Sequence, residues 1–266
     1  MTFSGRVAVV TGGGNGMGRA CAQRLAGEGV AVVVVDVIEE AAKAAVEEIH
    51  RSGGVAEQVV GDVGDEAVIA RAIDVAESGF GGPDIIIAAA GIPAPGYRSG
   101  GPPVTRPASG LERFLRTTPP DWDEVLGVNL RGVMLVVQRG VASMLEHERR
   151  GSVVVITSVS AASPITSGSV AYTASKAGAQ AVVKHVSQLV ADRGIRVNAV
   201  GPGLIDTNMS RGYAAPTTGP SALAHIPAGR PGTADDIADA VLFLAGEQSQ
   251  FITGEVLYVD GGQFTG

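Results

Sequence analysis

The 266-residue sequence predicts an α/β fold: a doubly wound parallel sheet of about seven strands, with helices on both faces. Runs rich in valine and isoleucine alternate with amphipathic stretches, which is typical of a parallel sheet buried on both sides. The first such run leads through a glycine turn into a helix, as at the centre of doubly wound sheets. With 45% hydrophobic and 18% charged residues, residues 1–266 are expected to form a single domain around one large core.

The individual elements follow from these alternating patterns in chain order. The expected strands are Arg6–Val10, Ala31–Val35, Val55–Val60, Asp84–Ala89, Ser152–Thr157, Arg196–Val200 and Glu255–Val259. The expected helices are Arg19–Ala26, Glu66–Ser78, Trp122–Glu146, Ala171–Ala191 and Ala234–Ala245. Ligands of doubly wound sheets bind beyond the carboxyl ends of the strands, so the residues that follow each strand are the candidates for a site.

The turn Thr11-Gly12-Gly13-Gly14-Asn15-Gly16-Met17-Gly18 separates the first strand from the first helix. Glycines let the backbone approach a diphosphate, and free N–H groups at a helix start favour its negative charge. The second strand ends in Asp36, whose carboxylate can accept hydrogen bonds from the adenosine ribose and would repel a 2′-phosphate. A lone glycine turn indicates only a tight connection, but together these features predict a Rossmann-type dinucleotide site that prefers NAD to NADP.

Composition and charge exclude several other classes of partner. The net charge of −7 and the isoelectric point of about 5.1 argue against nucleic acid or an anionic membrane as the main partner. The start of the chain, Met1–Arg6, lacks the apolar segment of a signal peptide, and no apolar run is expected to span a membrane, so a cytoplasmic protein is expected. Cys21 is the only cysteine and is expected in the core, and the four scattered histidines predict no metal site.

The stretch Tyr172-Thr173-Ala174-Ser175-Lys176 opens a predicted helix. Residues four apart lie on one helix face, one turn apart, so the phenol and the ammonium are neighbours. A neighbouring cation favours the phenolate, so the tyrosine can exchange a proton nearer neutral pH. Carbonyl and alcohol redox chemistry requires such a group, although this spacing alone also occurs in many helices without any such function.

In combination these motifs resemble the short-chain dehydrogenase/reductase family, from about Arg6 to Gly262, in its branch of about 250 residues. The resemblance implies that Asp62 and Val63 hold the adenine, and that Ile205 and Thr207 bind the nicotinamide carboxamide. It implies a catalytic set of Asn129, Ser158, Tyr172 and Lys176. The full cofactor-binding set that it implies is Gly12, Asn15, Gly16, Met17, Gly18, Asp36, Asp62, Val63, Ala90, Gly91, Asn129, Tyr172, Lys176, Pro202, Gly203, Ile205 and Thr207.

The resemblance also implies a mechanism. Ser158 would hydrogen-bond the substrate oxygen, Tyr172 would exchange its proton, and Lys176 would lower the pKa of the tyrosine and hold the nicotinamide ribose. Asn129, at a helix distortion, would connect Lys176 to solvent through water. We therefore expect an NAD-dependent oxidoreductase that interconverts a secondary alcohol and a ketone, in a homotetramer. The alternatives are a 3-oxoacyl-thioester reductase, which in this family mostly uses NADPH, and a catalytically silent NAD-binding sensor or scaffold.

The sequence departs from the family pattern at two motifs. Ala88-Ala89-Ala90-Gly91 stands where the family usually has Asn-Asn-Ala-Gly, so the amide side chains that tie neighbouring strands are missing, while the glycine remains. From Ser158 to Tyr172 the separation is fourteen residues, one more than is common. Ser160 is therefore a rival for the catalytic serine, although Ser158 is favoured.

The family resemblance makes two segments candidates for the surroundings of the substrate. Residues 92–121 are longer than usual and hold seven of the fourteen prolines and four arginines, which predicts a stiff irregular loop without helix or strand. This loop is either a wall or lid whose arginines face an acidic substrate, or an exposed or subunit-contacting segment. Residues 206–231 are expected to cover the substrate. Met209 and Tyr213 lie there either as pocket residues or on a surface helix.

Overall fold

The computed structural model describes residues 3–99, 101, 109–163, 169–213 and 223–264. Its strands are β1 (Val7–Thr11), β2 (Ala31–Asp36), β3 (Ala56–Val60), β4 (Ile85–Ala88), β5 (Gly151–Ile156), β6 (Ile195–Pro202) and β7 (Val256–Val259). Its helices are α1 (Gly16–Gly27), α2 (Glu39–Arg51), α3 (Glu66–Phe80), α4 (Gly110–Arg116), α5 (Pro119–Leu126), α6 (Gly132–Glu146), α7 (Val170–Val190), α8 (Asn208–Tyr213) and α9 (Ala234–Ala245).

The seven strands form one parallel sheet in the order β3-β2-β1-β4-β5-β6-β7, which confirms the predicted doubly wound fold. The chain steps outward from β1 to β3, returns to place β4 on the other side of β1, and then continues outward to β7. Thr11, at the end of β1, is level with Val35 of β2 and Ala88 of β4. The winding direction reverses between β1 and β4, which is where ligands of such sheets bind.

Both faces of the sheet are buried because the strand side chains alternate between two apolar cores. Within β1, Val7 and Val9 pack with residues of α3, α6 and α7, whereas Ala8 and Val10 pack with residues of α1, α2 and α9. Cys21 of α1 is fully buried in the second core, as expected. Burial raises the pKa of its thiol to about 12, so the side chain behaves as a small apolar residue.

The structure corrects the prediction that residues 92–121 contain no helix. Helix α4 and the first turn of α5 lie within this segment. Ser109 caps α4 by accepting a hydrogen bond from the Glu112 N–H, and Thr118 and Asp121 form a capping box on α5. Pro119 and Pro120 stand at the first positions of α5. Proline is tolerated there because the N–H group that it lacks would have no intrahelical partner. The prediction of irregular structure holds for residues 93–99; residues 100 and 102–108 lie outside the described chain.

The expected helix Trp122–Glu146 begins earlier, at Pro119, and a π-helical turn at Gly127–Arg131 divides it into α5 and α6. The π turn contains Asn129, in agreement with the distortion implied there. Helix α2, between β2 and β3, was not among the predicted elements.

The helical run Pro119–Glu146 also corrects the expectation that no stretch could span a membrane. Among the described residues, it is the one helix whose length and mean hydropathy of 1.3 satisfy that requirement. Half of the most apolar window is buried inside the protein, because α6 packs Val133, Val136 and Met144 into the core of the sheet. A core helix of this kind meets the same criteria of length and composition.

Candidate active site

The glycine turn after β1 lies against the chain that follows β4. Gly12 has a positive φ of 66°, and a Cβ atom there would stand 2.8 Å from backbone atoms of Ala90. A Cβ on Gly18 would stand 2.2 Å from the carbonyl oxygen of Gly12. Helix α1 begins within this turn, the side chain of its N-cap residue Asn15 makes no capping hydrogen bond, and its first turn contains no acid. Its first N–H groups are therefore suited to an anion.

Two carboxylates stand beside the turn at the ends of neighbouring strands. Asp36 is 7% exposed, and its two oxygens accept hydrogen bonds from the backbone N–H groups of Gly14 at 2.9 Å and Ile38 at 3.0 Å. Asp62 accepts a hydrogen bond from the Gly64 N–H at 2.8 Å. Because backbone groups fix both carboxylates, the negative charge at this end of the site has a defined position.

An open groove follows the carboxyl edge of the sheet and brings together much of the predicted cofactor set. The predicted residues that line it are Gly12, Asn15, Gly16, Met17, Gly18, Asp36, Asp62, Val63, Ala90, Gly91 and Thr207. It is also lined by residues that were not assigned to the cofactor: Val37, Ile38, Gly61, Ala89, Ile92, Tyr97, Arg98, Ser99, Val128, Asn208 and Met209. Most of these lie within two residues of a predicted residue in sequence, and for Met209 a place in a pocket was one of the two alternatives.

Tyr97, Arg98 and Ser99 are the lining residues without such a neighbour. They belong to the irregular part of the segment after β4, and no hydrophobic period fixes the position of residues in such a loop. The available sequence signal was an aromatic residue and an arginine within a Pro/Gly-rich segment. This composition does not show which residues of the loop line the groove.

Lys176 lies in the protein interior, one turn after Tyr172 on α7. It is 3% exposed, and its Nζ donates a hydrogen bond to the carbonyl oxygen of Ile156 at 2.7 Å. Burial lowers the pKa of Lys176 to about 8, since the charged form loses its hydration. Nζ lies 5.8 Å from the ring centroid of the partly buried Tyr172. The spacing in sequence therefore places the two side chains beside each other.

Asn129 occupies the π turn and is completely buried. Its Oδ1 accepts a hydrogen bond from the Ile92 N–H at 2.8 Å, and its Nδ2 donates to the Ile92 carbonyl at 2.9 Å and to Ser175 Oγ at 3.1 Å. Asn129 Oδ1 and Lys176 Nζ each stand 3.3 Å from the point where a Cβ on Gly91 would lie. The amide thus ties the chain after β4 to α7, and a water link from Lys176 to solvent stays a prediction.

Ser158 follows β5, two residues after the carbonyl that binds Lys176. Its Oγ accepts a hydrogen bond from the Ser160 N–H at 3.1 Å, so its own O–H remains able to donate. Both serines are buried, and neither lines the groove in this structure. The choice of Ser158 over Ser160 stays a prediction. The connection onward to Tyr172 passes through residues 164–168, which lie outside the described chain.

Thr11 supports the chain after β4 where the family amides are missing. Its Oγ1 accepts a hydrogen bond from the Ala90 N–H at 3.4 Å and donates to the Ile87 carbonyl at 3.5 Å. Its carbonyl accepts from the Ala89 N–H at 3.2 Å. These long hydrogen bonds keep β1 and the alanine run together, so Gly91 retains its position beside Asn129 and Lys176.

Of the segment from Pro202 to Thr207, one residue borders the groove. Pro202, Gly203 and Ile205 do not line it; Gly203 instead donates to the Val259 carbonyl, and Ile205 is buried and bridges to Gly232. Thr207 does line it, with its Cγ2 3.7 Å from the Cβ position of Gly16. Helix α8 follows. The side chain of Tyr213 and residues 214–222 lie outside the description.

A metal ion has no evident ligand set in this part of the molecule. Within the described ranges, no three side chains of histidine, cysteine, aspartate or glutamate are grouped closely enough to hold one.

Comparison with known proteins yields matches along the whole chain. The profile of a family described as enoyl-(acyl carrier protein) reductase matches residues 12–263. The chain is 37% identical to the 3-oxoacyl-(acyl-carrier-protein) reductase FabG of Aquifex aeolicus (strain VF5), over 98% of both chains. It is 34% identical to 3beta-hydroxysteroid dehydrogenase 1 of Eggerthella lenta, over 98% of this chain and 94% of the relative. It is also 34% identical to 2,5-dichloro-2,5-cyclohexadiene-1,4-diol dehydrogenase LinX of Sphingobium indicum, over 99% and 98%.

The fold has a close match among solved structures. A crystal structure of a dehydrogenase/reductase from Sinorhizobium meliloti 1021 superposes with a TM-score of 0.83 at 35% identity, covering 99% of this chain and 98% of that one. Profile, relatives and fold agree, and the chain belongs to the short-chain dehydrogenase/reductase family, oxidoreductases that use a nicotinamide cofactor on small molecules.

Proposed function

We propose that the protein is an NAD-dependent oxidoreductase that interconverts a secondary alcohol and a ketone, with Tyr172 as the general acid and base. The observation that carries this proposal is the buried amine of Lys176, which lies one helical turn from the Tyr172 phenol and beside Gly91 in the groove wall. A buried amine next to a phenol is costly for the fold, so a chemical role accounts for it better than packing does.

The proposed mechanism assigns one task to each side chain. Ser158 donates a hydrogen bond to the reacting oxygen of the substrate. Tyr172 takes the proton from the alcohol during oxidation and returns it during reduction, and protonated Lys176 favours the phenolate that forms. Asn129 holds the chain after β4 against α7, which keeps Gly91 and Lys176 in register. A bound nicotinamide supplies the hydride chemistry.

The groove suits a dinucleotide and, we infer, NAD in particular. The glycine turn and the uncapped start of α1 would hold the diphosphate, Asp36 would accept hydrogen bonds from the ribose, and Asp62 and Val63 would hold the adenine. The Ile205 backbone and the Thr207 hydroxyl would bind the carboxamide. Because the lining contains the two carboxylates Asp36 and Asp62, a 2′-phosphate would be repelled there.

The test of this proposal is Tyr172→Phe, assayed by NADH formation on a panel of hydrophobic secondary alcohols. Loss of the acid/base should lower kcat by about 10²- to 10⁴-fold, while calorimetry should still show NAD binding because the glycine turn and Asp36 are unchanged. Tyr258→Phe is the matched control, because that phenol lies outside the groove lining and should be replaceable without loss of activity. Unchanged turnover in Tyr172→Phe would refute the assigned role. Turnover absent from both wild type and variant, with NAD bound, would favour the silent binding protein.

A second candidate, a 3-oxoacyl-thioester reductase, is favoured by the whole-chain similarity to proteins named FabG. Acetoacetyl-CoA with NADH and with NADPH separates the two candidates. Reduction of this thioester faster than oxidation of any alcohol on the panel would select the second candidate. Tighter binding of NADP than of NAD in a direct titration would overturn the cofactor assignment.

The assembly and location are also proposals that rest on the family. We propose a homotetramer, which sedimentation equilibrium would test, because a monomeric mass at micromolar concentration contradicts it. A cytoplasmic location is likewise proposed, and cell fractionation is its test.

A further inference from the structure

Tyr97 lies in the irregular segment between β4 and α4. Its N–H donates to the Ala94 carbonyl in a turn, and its ring is buried in a small apolar cluster with Ile92, Val125 and Ala171. Tyr172 and Met209 pack against the same cluster. Since Tyr97 also lines the groove, it stands where the dinucleotide groove meets the surroundings of the proposed catalytic tyrosine.

The hydroxyl of Tyr97 is buried without a hydrogen-bond partner among the residues that the structure describes. The whole residue is 6% exposed. Burial raises the pKa of the Tyr97 phenol, and the nearby Ser99 hydroxyl offsets part of this effect without meeting the geometry of a hydrogen bond. Buried polar groups normally have partners, and a phenylalanine would fill the same apolar space. An unpartnered phenol in a groove wall is therefore accounted for by a molecule that binds beside it.

The surroundings of Tyr97 indicate what kind of molecule this is. The cluster around the ring is apolar, with Trp122, Leu126 and Val128 packed on it. Arg98, the next residue along the chain, is paired with Glu124 at 3.6 Å and donates to the Tyr97 carbonyl at 2.8 Å. An arginine that already has a carboxylate partner offers little to an acidic substrate. The site fits an apolar body that carries a neutral oxygen.

We propose that Tyr97 is a substrate-binding residue whose hydroxyl donates a hydrogen bond to a second oxygen of the substrate, apart from the carbinol oxygen at Tyr172. The inference rests on the proposed alcohol dehydrogenase function and narrows its substrate class. The preferred substrates are hydrophobic secondary alcohols with a further neutral hydroxyl or keto oxygen, such as diols and hydroxyketones, in preference to simple alcohols or acids.

Paired probes that differ by one oxygen test this assignment. Calorimetry on NAD-loaded protein that carries Tyr172→Phe, and so should not oxidise the probes, compares cyclohexane-1,4-diol with cyclohexanol, and a 3-hydroxysteroid with and without a keto oxygen at the opposite end of its rings. At least one oxygenated probe should bind about tenfold more tightly than its partner. Tyr97→Phe should abolish that preference, leaving the Kd of the simpler probe within twofold and the Kd of NAD unchanged. Tyr258→Phe is again the matched control and should keep the preference.

The outcomes separate this inference from the function on which it rests. Equal affinity within both pairs, including no measurable binding of any probe, overturns the substrate class. A preference that survives in Tyr97→Phe overturns the role of this residue, and weaker NAD binding in that variant assigns the phenol to the cofactor instead. If the preference is present and depends on Tyr97 but no NADH forms, the dehydrogenase proposal fails while the binding role stands. If NADH forms but Tyr97→Phe does not change the affinity for any probe, the dehydrogenase proposal stands and the binding role of Tyr97 fails.

Discussion

At the scale of single residues, Lys176 couples the chemistry of the site to the stability of the fold. Its pKa is about 8 in the folded protein and about 10.5 as the ordinary value, so between these pH values the unfolded chain binds more protons. The free energy of unfolding contributed by this group therefore rises with pH from about 8 to about 10.5, and below pH 8 the full cost of burying the charge is present. This difference between the two pKa values corresponds to roughly 3 kcal/mol in the free energy of unfolding.

The first prediction is that Lys176→Met removes this pH dependence. Urea unfolding of wild type and variant at several pH values gives the difference between their free energies of unfolding. This difference should move in favour of wild type by roughly 3 kcal/mol between pH 8 and pH 10.5. Lys184→Met, at an exposed position on the same helix, is the control and should show no such change. Parallel curves for wild type and Lys176→Met would show that the amine is not buried in solution.

Asp36 supports the second prediction, which concerns the choice between cofactors. In Asp36→Asn the side chain keeps its shape, but the charge that opposes a 2′-phosphate is gone, and one of the two acceptors for Gly14 and Ile38 becomes a donor. The ratio of the Kd for NADP to the Kd for NAD, measured by calorimetry, should fall about tenfold. The exposed acid Asp74 supplies the control, since Asp74→Asn should leave the ratio unchanged. A ratio unaffected by Asp36→Asn would mean that another group selects the cofactor.

At the scale of elements, α1 depends on close contact between two glycines. A methyl group at Gly18 would lie 2.2 Å from the Gly12 carbonyl oxygen, whereas one at Gly27, at the other end of the helix, would meet nothing within 4 Å. We predict that Gly18→Ala lowers the free energy of unfolding by about 1–3 kcal/mol and weakens NAD binding. Gly27→Ala should be neutral or stabilising by up to about 1 kcal/mol. Thermal unfolding and NAD titration measure both effects, and equal behaviour of the two variants would exclude close packing as the cause.

The elements also show which parts of the fold a single sequence can predict. The strands were placed correctly to within a few residues because both faces of a parallel sheet are buried, so β1 and β4 are continuous apolar runs. The proline- and glycine-rich composition predicts a loop over α4 and the start of α5, although proline is favoured at a helix start, where Pro119 and Pro120 lie. The π turn does not interrupt the apolar pattern from Trp122 to Glu146, and its location came only from the family resemblance.

At the scale of the whole molecule, the site is assembled from strand ends that are far apart in sequence. The switch between β1 and β4 places Gly12 against Ala90, and the order of strands places β5 beside β4, so Ile156 and Lys176 come near Gly91. The family resemblance implied this set, and each of its motifs follows a strand whose position in the sheet is fixed. The path of the chain from Tyr97 to Ser99 depends on long-range packing instead. A wall beside the substrate was therefore one of two alternatives for this loop, and the residues that form it could not be predicted from sequence.

The last prediction is that a cofactor bound in the groove stabilises the folded protein. A ligand that binds only the folded protein raises its free energy of unfolding by about 2.7 kcal/mol at one hundred times its Kd, which corresponds to roughly 5–10 °C in Tm for a chain of this size. NAD should produce this shift in scanning calorimetry, and NADP at the same concentration should produce a smaller one because of Asp36. Tyr172→Phe should retain the NAD shift, since the glycine turn and α1 are intact, whereas Gly18→Ala should lose most of it. A larger shift with NADP would contradict the preference for NAD, and no shift with NAD would contradict the role of the turn as well.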